Sequence, residues 1–380
     1  HGNGARGNRR RIPVASEKAA PGDARIDARR RGRSLLAMRG TRPLARRIIL
    51  LLAVLVPFPA AAGERAGPDW KRETPSAAWR ARDSSGELVH AGRMWLLGGW
   101  FTSHEAPPRD VWSSADGREW RLETREAPWI HSDLPMTIPF AGRMWLMGGW
   151  YNGRLPGHSA SNSVWSSPDG RGWKQETTAA AWSPRLAAGA VVFKGRMWIL
   201  GGTENYYFGT DADLRNDVWS SADGCTWRLE TAAAGWSPRA YHQAVVLGDR
   251  IYVLGGGNYV PAYHARNDVW SSADGVNWRR ETEAAAWAPR LWFSAVAYRN
   301  RLWVLGGWSK DPSIDHADVW TSADGREWER LKAGVIWKGR HEHSAYIFDD
   351  RLWVAGGHAR PLSGEVWSLH VPEDFFMRRR

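Results

Sequence analysis

The chain has one cysteine, Cys225, among its 380 residues. A single thiol cannot form an internal disulfide, so the chain lacks the framework that stabilises many small secreted domains. Its stability must come from packing, and a chain of this length can bury a large core.

Long apolar runs are also scarce, and the run at residues 48–56 is too short to cross a membrane as a helix. It follows Met38 and four arginines and precedes the small residues 60–62, which is the order of a secretory signal. We expect cleavage after Ala62, export to the periplasm or the medium, and no stable membrane anchor afterwards. Residues 1–37 contain no Met and many arginines, and are expected to be a disordered or mis-called extension.

Basic charge in excess is confined to that leader. Residues 1–62 hold 14 Lys and Arg against 3 Asp and Glu, and so carry nearly all of the formal charge of +12. Residues 63–380 hold the other 38 Lys and Arg against 37 Asp and Glu. A nearly neutral domain gives no electrostatic reason to expect a nucleic-acid partner.

What the chain does contain is a repeat of about 50 residues. Six units each carry a glycine pair after a short apolar run, beginning at Gly98, Gly148, Gly201, Gly255, Gly306 and Gly356. A period in this range indicates a propeller or a solenoid rather than one continuous core. Each unit predicts four strands, with residues 190–193 and 196–200 as examples of the first two. A Ser-Ala-Asp-Gly turn suits the hairpin between strands three and four.

Tryptophan sets the register of the units. The Trp that opens a fourth strand is followed nine residues later by a second Trp in every unit, as in Trp120 and Trp129. The glycine pairs and spaced aromatics of residues 70–371 resemble kelch repeats. The resemblance implies an all-β fold, a six-bladed kelch-type β-propeller with four-stranded antiparallel blades over residues 63–380. Because the last unit lacks a fourth strand, residues 70–74 are expected to close blade six.

Four tryptophans remain once the repeat is subtracted, namely Trp100, Trp150, Trp292 and Trp308. In kelch-type propellers the loops after strands two and four share one face of the disc, which we call the loop face, so the resemblance implies that all four lie there. Aromatic side chains on that face can stack on sugar rings or fill a partner's pockets. The alternative is that they only fill space between blades.

A second pattern suggests charge pairing within blades. In five units an Arg in the loop after strand four accompanies an acid before the third-strand Val-Trp, whereas blade two has Ser132 and Ser163 instead. Loss of both partners together predicts structural ion pairs rather than a cationic substrate ring. The expected pairs are Arg82 with Asp110, Arg185 with Asp217, Arg239 with Asp268, Arg290 with Asp318, and Arg340 with Glu365.

The remaining polar exceptions include His341 and Glu342. Glu342 has no acidic counterpart in other blades, so we expect it, together with His341, to contact the ligand. Kelch units often carry His at the position of His242 and His343, which implies a structural role for both. We find no catalytic constellation, metal site or cofactor motif in the sequence, and Cys225 falls in a hairpin turn on the opposite face.

These features predict a binding module that takes a glycan or a protein partner on its loop face. The alternative is a periplasmic sugar isomerase or mutarotase resembling the kelch-fold sialic-acid epimerases, and the third possibility is a purely structural scaffold. Fold alone does not decide among them.

Overall fold

The computed structural model describes residues 63–377, which form six small antiparallel sheets arranged as the blades of a β-propeller. The expected fold class is thereby confirmed. The predicted signal at residues 38–62 and the extension before it lie outside the described residues. No helix among residues 63–377 is long and apolar enough to span a membrane.

Each blade has four antiparallel strands, which pair in chain order from the central axis outward in blades one to five. Blades one to three contain Gly86–His90, Arg93–Leu97, Val111–Ser114 and Arg121–Thr124; Met136–Phe140, Arg143–Met147, Val164–Ser167 and Lys174–Thr177; and Gly189–Phe193, Arg196–Thr203, Leu214–Ser221 and Trp227–Thr231. Blades four to six contain Gln243–Leu247, Arg250–Asn258, His264–Ser272 and Arg279–Thr282; Ser294–Tyr298, Arg301–Leu305, Val319–Ser322 and Glu329–Lys332; and Ser344–Phe348, Arg351–Ala355, Val366–Leu369 and Lys71–Thr74.

The ring closes through the strand expected from the sequence. Lys71–Thr74 pairs antiparallel with Val366–Leu369 and supplies the fourth strand of blade six. One further strand was not expected from the repeat. Gly63–Ala66 pairs in parallel with Glu329–Lys332 and extends blade five to five strands. The chain before blade one therefore contacts two blades.

Tryptophan packing explains why the spacing is so regular. The Trp that opens each fourth strand packs edge to face against the Trp that lies nine residues after the fourth-strand Trp of the preceding unit, as Trp120 does against Trp79, with ring centres 5.6 to 5.9 Å apart. Such pairs stabilise a core beyond the area that they bury. The hairpin turns add contacts between blades. Gly117 has a φ of +71°, and a Cβ there would lie 2.1 Å from the Trp353 ring of blade six, so only glycine fits.

The variable loops add small elements on the loop face. Two short ribbons follow the glycine pairs of blades two and five, and a 3-10 turn lies in the loop of blade three. Their bounds are Trp150–Tyr151 with Ser159–Ala160, Trp308–Ser309 with Ile314–Asp315, and Asp211–Asp213. These loops fold over the end of the central channel and supply side chains to the cavity described below.

Candidate functional site

The site is built on a ring of residues at the loop-face end of the channel. Each blade contributes the second residue after its Arg or Ser position, and all six have a φ between +49° and +57°: Ser84, Leu134, Ala187, Tyr241, Trp292 and Glu342. Backbone N–H groups in this ring donate to carbonyls of the preceding blade, as from Ser84 to Glu342 at 3.1 Å and from Glu342 to Trp292 at 2.8 Å. A positive φ is costly for residues with a Cβ, and tertiary contacts must hold it in place.

Three buried carboxyl groups gather at one side of this ring. We call Asp83, Asp133 and Glu342 the acid trio; the two aspartates are 2% and 1% exposed, and the Glu342 side chain is 6% exposed. One oxygen of Asp83 and both oxygens of Asp133 lack a hydrogen-bond partner within residues 63–377. Tyr206 donates to Glu342 Oε1 at 3.2 Å. Buried carboxyl oxygens without partners are rare and costly, which marks the trio as a functional candidate.

Burial also shifts the titration of these groups. Desolvation, with a smaller contribution from the neighbouring Asp83, raises the pKa of Glu342 to about 7. The pKa values of Asp83 and Asp133 lie well above the usual range, chiefly because both are buried. The Ser84 hydroxyl lies close enough to lower the pKa of all three, but it does not outweigh burial. A carboxyl group that titrates near neutrality suits proton exchange or ligand-coupled ionisation.

Aromatic rings form a continuous row beside the trio. We call Trp292, His341, His358 and Trp100 the ring stack, because neighbouring members lie 5.4, 5.0 and 6.5 Å apart and within 28° of parallel. Asp315 holds His341 by a contact of 2.7 Å to its Nδ1 atom. The opposite ring nitrogen of His341 lies 3.7 Å from Glu342. The ring stack therefore joins an aromatic surface to the acid trio.

A cavity of about 360 Å³ opens between the ring stack and the loops. Asp83 and Glu342 face it from the channel side, and Tyr207, Tyr259 and Trp308 wall it. Two arginines line its rim. Arg154 is exposed and stacks over the Tyr207 ring at 4.6 Å, while Arg360 forms an ion pair with Asp315 at 2.5 Å. The cavity therefore has an acidic, buried floor and a basic, solvent-facing rim.

Most of the ligand-binding residues expected from the sequence meet here. Trp100, Trp292, Trp308, His341 and Glu342 all line the cavity. Trp150 does not: it is 1% exposed, donates its indole N–H to the Gly153 carbonyl, and packs edge-on against Tyr206 and Tyr207. Its place is behind the cavity wall, where it supports the tyrosines.

The charged pairs lie where the sequence placed them, away from the cavity. In four of them the guanidinium contacts both carboxylate oxygens, as Arg239 does with Asp268 at 2.7 and 2.9 Å, and the same acid accepts the indole N–H of Trp270. Arg340 contacts Glu365 in the corresponding place. In blade two Trp165 donates to Ser163 instead, and Ser132 donates to the Pro108 carbonyl. These arginines bind blade to loop and are at most 1% exposed, which leaves no free cationic ring.

The remaining polar candidates lie apart from the cavity. His242 and His343 are each 3% exposed, and burial lowers the pKa of both to about 3, so they remain neutral. Cys225 is exposed in the hairpin turn of blade three, on the face opposite the cavity. Among residues 63–377 no group of three or more His, Cys, Asp or Glu side chains is placed to hold a metal ion.

Sequence reasoning missed Asp83, Asp133 and the tyrosines of the cavity. For the aspartates a signal existed, because the residue after the Arg or Ser position is Leu or Ala in blades three to five. Asp83 and Asp133 are therefore exceptions to the repeat at this position. Glu342 is a similar exception at the next position along the chain. Tyr206, Tyr207 and Tyr259 lie in loops of variable length, which the repeat does not align.

Comparison with known proteins adds little. No family model matches the chain. An alignment over 160 residues, which covers 38% of the chain, is 30% identical to the dynein alpha chain of the flagellar outer arm from Chlamydomonas reinhardtii. The match spans only 3% of that protein. It shows similarity to a short part of a much longer chain, and neither a family nor a function follows from it.

Proposed function

We propose that this chain is an exported propeller of the kelch type that acts as a binding module and holds a glycan in its loop-face cavity. The observation that carries the proposal is one cavity that combines aromatic faces with the buried carboxyl groups of Asp83 and Glu342, of which Asp83 has an oxygen without a partner within residues 63–377. A sugar ring offers an apolar face for stacking and hydroxyl groups that donate to carboxylates. Export rests on the order of residues 38–62, and the kelch relationship rests on the repeat.

The size and shape of the cavity favour a glycan over a protein surface. About 360 Å³ enclosed by loops falls within the range of small-ligand pockets, whereas protein partners usually cover a broad surface. The aromatic walls are pre-formed, because Trp292 and His341 are buried and stacked. A ligand therefore meets a surface that needs little ordering.

A glycan array probed with residues 63–380, followed by titration of the best ligand, tests the proposal. Trp308→Ala and Trp100→Ala should each weaken binding by about 1 to 3 kcal/mol, because the ligand loses a stacking face. Cys225→Ser, on the opposite face, is the matched control and should bind as the parent does. If both Trp variants stay folded and bind normally, the cavity is not the glycan site.

A sugar isomerase or mutarotase is the second candidate, favoured by the arrangement of Glu342 and His341. Asp315 orients His341, which lies 3.7 Å from a carboxyl group whose pKa is about 7. Such a pair can donate and accept protons near neutral pH. The sugars that bind should therefore also be tested for faster anomerisation. A rate equal to that of buffer alone would exclude mutarotation of those sugars.

A further inference from the structure

The acid trio differs from the acids of the five charged pairs in having no arginine in direct contact. Each acid of the five charged pairs contacts an Arg, at distances such as 2.7 Å for Asp217 and 2.6 Å for Glu365. Within residues 63–377 the basic groups in ion-pair contact with the trio are imidazoles only, His358 at 3.5 Å from Asp83 and His341 at 3.7 Å from Glu342. The trio thus lacks the direct Arg contact that each acid of the charged pairs has, and the two arginines of the cavity, Arg154 and Arg360, lie at its rim.

We infer that the bound glycan carries a free amino group, and that its ammonium ion is the counter-charge of Asp83 and Glu342, the two members of the acid trio that line the cavity. The inference deepens the proposed function and rests on it, since it names the class of sugar that the same cavity selects. A buried carboxylate is stable only when it is paired, and a ligand ammonium would complete the pairing that the protein leaves open.

An unpartnered donor in the same cavity offers a ligand a hydrogen bond, although it does not by itself indicate one, because Trp79 and five equivalent tryptophans of the other blades have the same unpartnered indole N–H. Trp292 lines the cavity and is 7% exposed, and its indole N–H has no acceptor within residues 63–377. A sugar hydroxyl or ring oxygen would accept this bond. The faces of Trp100 and Trp308 also attract a cation electrostatically, so the aromatic walls favour an ammonium group as well as a sugar ring.

The other charged groups around the cavity do not offset this preference. Arg360 is already paired with Asp315, and Arg154 is exposed, where solvent screens its charge. Tyr206, Tyr207 and Tyr241 have raised pKa values and stay neutral. Low pH therefore opposes binding through the carboxyl groups.

Binding of an ammonium ion should release protons. Burial raises the pKa of Glu342 to about 7 and those of the two aspartates well above their usual range, so the unliganded trio holds protons at neutral pH. A cation stabilises the ionised carboxylates and lowers their pKa. The protons leave as the ammonium enters, and affinity should fall as the pH is lowered.

Calorimetric titration of residues 63–380 at pH 6.5 with three probes tests the inference: methyl glucosaminide, methyl N-acetylglucosaminide and methyl glucoside. The amino sugar should bind at least 10-fold more tightly than the other two. Glu342→Gln and Asp83→Asn should each reduce that preference to about 3-fold or less, whereas Trp308→Ala should weaken all three sugars and leave the amino sugar preferred. Titration in two buffers with different heats of ionisation should show net proton release with the amino sugar alone.

The outcomes separate the inference from the function beneath it. Equal binding of the three sugars would overturn the amino-group inference and leave the glycan module standing. Amino-sugar selectivity that persists unchanged in both carboxyl variants would also overturn it, because the ammonium would then lie elsewhere. Binding of butylammonium with no binding of any sugar would overturn both, and would redirect attention to a lysine side chain of a protein.

Discussion

The buried carboxyl groups of the acid trio should make the stability of this protein depend on pH in an unusual way. Acids in folded proteins are usually stabilised in the ionised form, as Asp268 is by Arg239, which lowers its pKa against the opposing effect of burial. Glu342 behaves in the opposite way, because its environment favours the protonated form. Its contribution to stability is therefore present at low pH and is lost as the pH rises.

Replacement of Glu342 by Gln should remove this pH dependence. With a pKa of 4.5 when unfolded and about 7 when folded, Glu342 should reduce the free energy of unfolding by about 3 kcal/mol between pH 4.5 and 7. Gln resembles the protonated acid, so the variant should match the parent at pH 4 and exceed it at pH 8. Urea unfolding at several pH values measures the difference.

The control for this prediction is a glutamate outside the cavity. The Glu283 side chain is 80% exposed, and Glu283→Gln should leave the pH profile of stability unchanged. If Glu342→Gln gives the same profile as Glu283→Gln, Glu342 is ionised at little cost and the description of a strained, uncompensated trio is wrong.

At the level of the blade, the charged pairs are a repeated structural device, and blade two shows what their removal looks like. Arg239 donates to the Gly255 carbonyl as well as to Asp268, so it joins the loop, the glycine pair and the third strand. Ser132 and Ser163 keep neutral hydrogen bonds in the corresponding places. The chain thus contains its own example of a blade without the ion pair.

A double-mutant cycle in blade four should show coupling between the two charged partners. Arg239→Ser and Asp268→Ser should each cost about 3 to 5 kcal/mol, because each leaves a buried charge unpaired. The double variant imitates blade two, in which a Ser hydroxyl accepts the Trp165 indole bond, and should cost clearly less than the sum. Denaturant unfolding of the four proteins gives the coupling energy, and additive costs would contradict the pairing.

The sequence predicts the structure well for residues that the repeat aligns from one blade to the next, and poorly for residues in the loops that it does not align. The strand expected at residues 196–200 is present, but it continues as Arg196–Thr203, because its ladder with Leu214–Ser221 resumes beyond the glycine pair. The site divides in the same way. Glu342 was identifiable as an exception within the repeat, whereas Tyr206 belongs to a loop whose folded path depends on contacts that the repeat does not encode.

At the level of the whole molecule, closure of the ring is what turns six units into one domain. The inner strands of neighbouring blades contact one another around the complete circle, so an opening at one place removes support from both adjacent blades. The sequence predicted the closing strand because the last unit lacks a fourth strand, and residues 70–74 at the other end of the repeat match one. It did not predict Gly63–Ala66, because a parallel strand outside the blades follows no repeat.

Two truncations separate the closing strand from the added strand. A chain that begins at Trp70 loses Gly63–Ala66, the ion pairs of Arg65 with Glu329 and of Glu64 with Lys332, and the bond from the Val335 N–H to Asp69. These contacts lie outside the six four-stranded blades, so its melting temperature should fall little. A chain that begins at Arg80 also loses Lys71–Thr74 and the edge-to-face pair of Trp70 with Trp337, and exposes the edge of Val366–Leu369. Unpaired strand edges promote association, so this chain should melt far lower and scatter light on heating. Equal melting of the two chains would mean that the ring does not depend on its closing strand, and that blade six is stable with three strands.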